Sequence, residues 1–163
     1  MNLNSFKDQF QIESFLQNNE INFLGKSHYL FRWERKISSE TIQSYLREYK
    51  RLGDENKITD IDIFERGPSG RVIKLGISTK NNSSPIILIK DDIRRYLRFL
   101  PSNLFIIDKL NDNLWVFKGG GFGHGVGLSQ AGAIEMAKLG FNFERILSHY
   151  YVKTKIKKIK DLP

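Results

Sequence analysis

The chain has no cysteine, which excludes disulfides, thiolate metal sites and a cysteine nucleophile. It also has no long apolar run. The amino terminus, MNLNSFKDQFQIESF, lacks the basic start and apolar stretch of an export signal, and no window approaches the ~18 apolar residues of a membrane span. As written, the sequence carries neither a classical signal nor an anchor. Acids are outnumbered, 18 against 26 basic residues, for a net charge of +8. That balance favours polyanionic partners without choosing among nucleic acid, anionic lipid and wall polymer. Part of it sits in Lys153, Lys155, Lys157, Lys158 and Lys160, expected to form a solvated face and a basic tail over residues 155–163.

What is present suits a folded protein. Twelve Phe, six Tyr and 40% hydrophobic residues in 163 positions support one domain with its own core. Residues 5–16 space Phe6, Phe10, Ile12, Phe15 and Leu16 as on an amphipathic helix, within an amino-terminal segment 1–28. Tyr29, Phe31 and Trp33 alternate as on a strand over residues 28–35, with Arg32 and Glu34 on the opposite face. Ser38 or Ser39 is a natural cap for a helix carrying Ile42, Tyr45, Leu46, Tyr49 and Leu52.

Ile61 and Ile63, the turn Gly67-Pro68-Ser69-Gly70, and Ile73, Leu75 and Ile77 predict a hairpin. Ile86 to Ile89 reads as a buried strand, and Asp91 as the cap of a helix carrying Ile93, Tyr96, Leu97 and Leu100. Residues 105–107 and 114–117 predict strands around the turn Asn111-Asp112-Asn113. Helices are expected over about 129–139, closed by Gly140, and about 143–150. Strands mixed with helices, without repeats, predict an α+β fold, mainly antiparallel, with several short helices in a single domain.

Between Gly119 and Gln130 lie six of the thirteen glycines. Such a loop allows positive φ and close backbone approach, and its amides can face an anionic or hydroxyl-rich ligand. It is not a phosphate loop, because no Lys-Ser or Lys-Thr follows, and it does not complete a dinucleotide fingerprint. His124, between Gly123 and Gly125, has no flanking side chain to shield it. It either donates to a ligand oxygen or ties the loop to itself. Ser129 serves as ligand contact or as helix cap, whereas Gln130 has no structural need for its amide. Gly127 completes the set of flexible positions. His28, His124 and His149 are too dispersed to form a metal-ligand pattern, and no residue pattern implies a cofactor.

The run Gly121-Phe122-Gly123-His124-Gly125-Val126-Gly127-Leu128-Ser129-Gln130-Ala131-Gly132-Ala133, with Met136-Ala137, Gly140 and Ile146-Leu147-Ser148-His149-Tyr150-Tyr151, resembles the carboxy-terminal signature of the SpoIID/LytB family. Phe31-Arg32-Trp33-Glu34 and Ser69-Gly70-Arg71-Val72 are similar to further segments of that family in the same order, so the likeness covers about residues 29–154. Family members commonly have Tyr where this chain has Ala131. The resemblance implies peptidoglycan chemistry in the cell envelope, either lytic transglycosylase action on glycan strands denuded of peptide or an amidase-enhancer role.

The family's catalytic glutamate lies in an amino-terminal half, before an Ala-Arg-Thr-Tyr-like helix, and no such segment is found here. A lytic transglycosylase needs one carboxyl to protonate the glycosidic oxygen and then accept a proton during ring closure. Glu34, and behind it Glu135, are the substitutes to weigh, each with a structural alternative. The sequence therefore predicts a glycan-acting or glycan-binding domain that is truncated, or completed by a separate polypeptide. Arg32, Gly123, His124, Gly125, Gly127, Ser129 and Gln130 are the candidate substrate contacts. A nucleic-acid binder rests on charge alone, since no standard RNA or DNA motif is present.

Overall fold

The computed structural model describes residues 9–18 and 22–157. The order of elements is α1 (Gln9–Gln17), β1 (Trp33–Ser38), α2 (Ser39–Glu48), β2 (Ile58–Arg66), β3 (Val72–Thr79), β4 (Ile86–Ile89), α3 (Asp91–Tyr96), β5 (Phe105–Asn111), β6 (Leu114–Gly119), α4 (Gln130–Lys138) and α5 (Phe143–Tyr150). Among the described residues six strands form two antiparallel sheets, ordered β1-β6-β5 and β2-β3-β4. The fold is α+β in a single domain. Residues 5–8 of the expected first helix lie outside the described residues.

Each sheet gives one face to a common core, because side chains alternate across a strand. Trp33, Phe105, Trp115 and Phe117 of the first sheet meet Leu75, Ile77 and Leu88 of the second, with Ile42 and Leu46 from α2 and Ile93 from α3 closing the sides. Phe105 and Phe117 stack edge to face, ring centres 5.8 Å apart. The opposite face of the first sheet carries Leu104 and Ile106, which α1 covers with Ile12, Phe15 and Leu16.

Ser38, not Ser39, caps α2, accepting a hydrogen bond from the Thr41 amide at 3.2 Å. Ser39 is buried and donates to the Asp112 carbonyl at 3.1 Å, tying α2 to the β5–β6 turn. The predicted hairpin is β2–β3. In β3 Val72, Leu75 and Ile77 are buried while Ile73 is half-buried, and β2 buries Ile58 and Ile61; register shifts between Ile63 and Arg66 interrupt the strict alternation expected from Ile73.

Three local expectations are corrected. The first strand begins at Trp33, and residues 24–30 form successive turns. The His28 amide donates to Gly25 and the Phe31 amide to His28, so Tyr29 is left 80% exposed while Leu30 is buried. Ile86 to Ile89 is an edge strand in which only Leu88 is buried, since β4 pairs on one side alone. Asp91 stands in the first turn of α3, not at its cap. Lys90 takes that place at φ 51 because its own amide still bonds Ile73 of the adjacent strand. The chain passes from sheet to helix without an extended residue, and α3 ends before Leu97.

Candidate functional site

The glycine loop leaves β6 at the edge of the main core and is anchored only over its first residues. The amide of Gly120 donates to Leu104, that of Gly121 to Leu30 and Phe31, and that of Gly123 to Pro101. Buried Ser102 donates its hydroxyl to the Gly120 carbonyl at 2.7 Å and accepts from the Leu104 amide. The Trp33 indole donates to the Gly121 carbonyl at 3.0 Å, across 88 residues of sequence. Gly119 itself is forced by packing, since an added Cβ would lie 2.3 Å from Trp33 and 2.4 Å from the Leu104 carbonyl. The expectation that the loop offers its amides to a ligand is thus narrowed. Its base spends them on the fold.

Beyond that base the chain is open. His124, Gly125, Val126, Gly127, Ser129 and Gln130 are all exposed, and Gly121, Gly123, Gly125 and Gly127 all hold positive φ. The imidazole Nδ1 of His124 accepts the Val126 amide at 2.9 Å. Both expectations for this residue therefore meet in one side chain: Nδ1 shapes the loop, and Nε2 is the nitrogen left to face a ligand. Ser129 is the cap of α4, its hydroxyl accepting from the Gly132 amide at 3.2 Å. The Gln130 side chain, at the first helical position, makes no hydrogen bond among the described residues.

Residues far apart in sequence gather around this loop and the start of the helix after it. Trp33 holds Gly121, as above. Arg71 lays its guanidinium against Gly125, where an added Cβ would lie 2.1 Å from Nε. From the carboxy-terminal helix, the Tyr150 hydroxyl covers Gly132, and the Tyr151 hydroxyl approaches Gly127. Arg71 belongs to the quoted Ser-Gly-Arg-Val segment but was not expected at the site. Arg94, whose guanidinium lies 5.8 Å over the Phe122 ring, and Ser102 had no signal in sequence at all.

Arg32 and Glu34 lie elsewhere. Arg32 donates through Nε to Leu16 at 2.8 Å, through one terminal nitrogen to Phe15 at 3.0 Å, and through the other to Phe31 at 2.9 Å. Its plane also stacks near the Phe15 and Phe31 rings. Partial burial holds its pKa below the usual guanidinium value. These bonds satisfy carbonyls in the last turn of α1 and fasten that helix to β1. Glu34 is exposed, 3.7 Å from Lys36, and lines a cavity of about 320 Å³ between α1 and the first sheet with Glu13, Arg32 and Lys118. Glu135, expected on an exposed turn, is half-buried and accepts the Gly25 amide, which ties α4 to the turn before β1.

Among the described residues no helix is long and apolar enough to cross a membrane, and no three His, Cys, Asp or Glu side chains are grouped to hold a metal ion.

Residues 1–127 match the family described as "Domain of unknown function (DUF8618)". The chain belongs to that family. The match takes in α1, both sheets and the glycine loop as far as Gly127. The chain is also similar to "Uncharacterized protein BHWA1_00569" of Brachyspira hyodysenteriae (strain ATCC 49526 / WA1), with 31% identity over 121 residues. That alignment covers 73% of this chain and spans 30% of the length of the relative.

Proposed function

We propose that this chain is a cell-wall glycan-binding domain of SpoIID/LytB type whose contact surface is the exposed loop Gly123 to Gln130. One observation carries the reading. The segments that resemble that family are far apart in sequence yet meet along one stretch of chain: Trp33 bonds Gly121 at the base of the loop, Arg71 and Tyr151 stand against Gly125 and Gly127 in its exposed part, and Tyr150 covers Gly132 in the helix that follows. A ligand site assembled from several elements has this form, whereas a loop that only connected β6 to α4 would need no such support. His124 Nε2 and the Gln130 amide are the side-chain donors, and the open backbone between them admits a sugar ring.

The same geometry favours binding over cleavage. The exposed loop contains no carboxylate, Glu34 lines a different cavity beside Lys36, and Glu135 is engaged with Gly25. General acid catalysis requires a carboxyl within hydrogen-bond reach of the leaving oxygen. The chain is therefore expected to co-sediment with purified peptidoglycan sacculi and to release no 1,6-anhydro products from denuded glycan, as read by mass spectrometry. Anhydro products would restore a catalytic carboxyl to this chain, with Glu34→Gln the first variant to examine. Failure to co-sediment would remove the glycan reading.

A further inference from the structure

Helix α5 is patterned for burial and is not buried. Phe143, Ile146, Leu147 and Tyr150 recur at i, i+3, i+4 and i+7, the stripe of an amphipathic helix. In α2 the same spacing, over Ile42, Tyr45, Leu46 and Tyr49, puts Ile42 and Leu46 fully inside the core. In α5 no residue is buried, and Phe143 stays 62% exposed. Its contact with α4 includes the Tyr150 hydroxyl over Gly132. Leu139, at the end of α4, and Val152 and Ile156, after α5, are exposed as well. α5 has 8 residues, a length of about 12 Å, so these side chains bracket a short helix and are not scattered singly over the surface.

The charges beside this face are nearly all of one sign. From Met136 to Lys160 the sequence has a single acid, Glu144, against Lys138, Arg145 and five lysines from Lys153 to Lys160. Lys153, Lys155 and Lys157 are exposed and make no ion pair among the described residues. After α5 the chain bends where Thr154 donates its hydroxyl to the Tyr151 carbonyl at 2.7 Å. Lys153 sits in that bend at φ 66, next to Val152. In the first turn of the helix the Arg145 guanidinium lies 5.3 Å from the Phe141 ring. Cations therefore fringe the apolar residues at both ends of α5.

We infer that α5 and the segment after it form a docking surface for an anionic lipid bilayer. Such a bilayer is apolar beneath a negatively charged headgroup layer, so Leu139, Phe143 and Val152 reach the acyl boundary while the lysines stay level with the phosphates. Tyr151 suits the interface between the two. Charge complementarity selects this occupant. A second copy of the chain seated here about a two-fold axis would set the same cations against one another, and a nucleic acid would pair the lysines but leave the apolar side chains in water. The surface uses neither His124 nor Gln130, so the inference does not rest on the glycan reading.

The test is flotation of the full chain with phosphatidylcholine vesicles that contain phosphatidylglycerol, and with phosphatidylcholine vesicles alone. Partitioning onto the mixed vesicles is expected to be about tenfold or more stronger, and to weaken as salt screens the lysines. Phe143→Ser should reduce it about tenfold, the range for withdrawing one phenyl ring from an apolar phase. Lys153→Gln, Lys155→Gln and Lys157→Gln together should abolish the preference for the anionic vesicles. Val152→Ser serves where Phe143→Ser does not fold. Equal partitioning onto the two kinds of vesicle, or none, overturns the inference. Binding that neither apolar substitution weakens overturns it too, since charge attraction alone would then account for it. A dimer in sedimentation equilibrium that Phe143→Ser dissolves gives the face to a second copy instead.

Discussion

The Arg71 guanidinium lies so close to Gly125 that an added Cβ would be 2.1 Å from Nε and 2.2 Å from Cζ, whereas an added Cβ at Gly123 would have nothing within 4 Å. Both glycines hold positive φ, 90° at Gly123 and 74° at Gly125. Two neighbouring positions thus share the backbone requirement and differ in what stands over them.

Gly123→Ala should cost only the left-handed backbone term, about 1 kcal/mol. Gly125→Ala adds displacement of Arg71 and should cost clearly more, with a larger loss of glycan affinity. Urea midpoints of the two variants decide this. Equal destabilisation would mean that Arg71 swings away freely and does not support the loop.

Arg32 is expected to act through stability. Its side chain makes two hydrogen bonds to α1 and a third to the Phe31 carbonyl, and stacks near two rings, so Arg32→Ala should lower unfolding free energy by about 2 kcal/mol, within the range for charged hydrogen bonds in a partly buried setting. Glycan affinity per folded molecule should be unchanged. An intact melting temperature combined with lost binding would return Arg32 to the ligand surface.

His124→Ala and Gln130→Ala should show the reverse pattern. Both residues are exposed, and such substitutions usually alter stability by no more than about 0.5 kcal/mol. Co-sedimentation with sacculi should weaken in each. If His124→Ala melts the protein while binding per folded molecule persists, its bond to Val126 is the whole of its role.

Ser102 fixes the base of the loop from within the core. Its hydroxyl bonds Gly120 and Leu104 and is buried, so Ser102→Ala leaves a carbonyl and an amide short of a partner at a cost of about 1–3 kcal/mol. Hydrogen exchange should rise at the amides of Gly120 to Gly123 before it rises in β2 and β3. Uniform change across the chain would show that Ser102 supports the whole core and not the loop in particular.

The net charge of +8 predicts weak, non-specific binding to duplex DNA that falls steeply with salt, as counterion release requires. Titrations at two salt concentrations measure it. Sequence-selective binding at physiological salt would move the reading from glycan to nucleic acid.

Much of this protein is legible in its sequence because the signals are local. Ser38 caps α2, the Gly67 to Gly70 turn joins β2 to β3, and Gly140 at φ 86 follows α4, each through groups within a few residues of one another. The aromatic alternation over Tyr29, Phe31 and Trp33 misled for the same reason. Spacing alone does not report that the Gly25 carbonyl bends the chain into turns before Trp33.

By itself, then, the sequence determined the α+β class, the place of the glycine loop and the identity of His124, Ser129 and Gln130 on it, since propensity and capping act over a few bonds. Tertiary packing decided the rest. Which loop amides are spent on Leu104, Leu30 and Pro101, that Arg32 serves α1 while Arg71 meets Gly125, and that Glu34 opens into another cavity all depend on how the two sheets and α1 stack. Those are contacts between residues distant along the chain, where no local period or spacing carries the information.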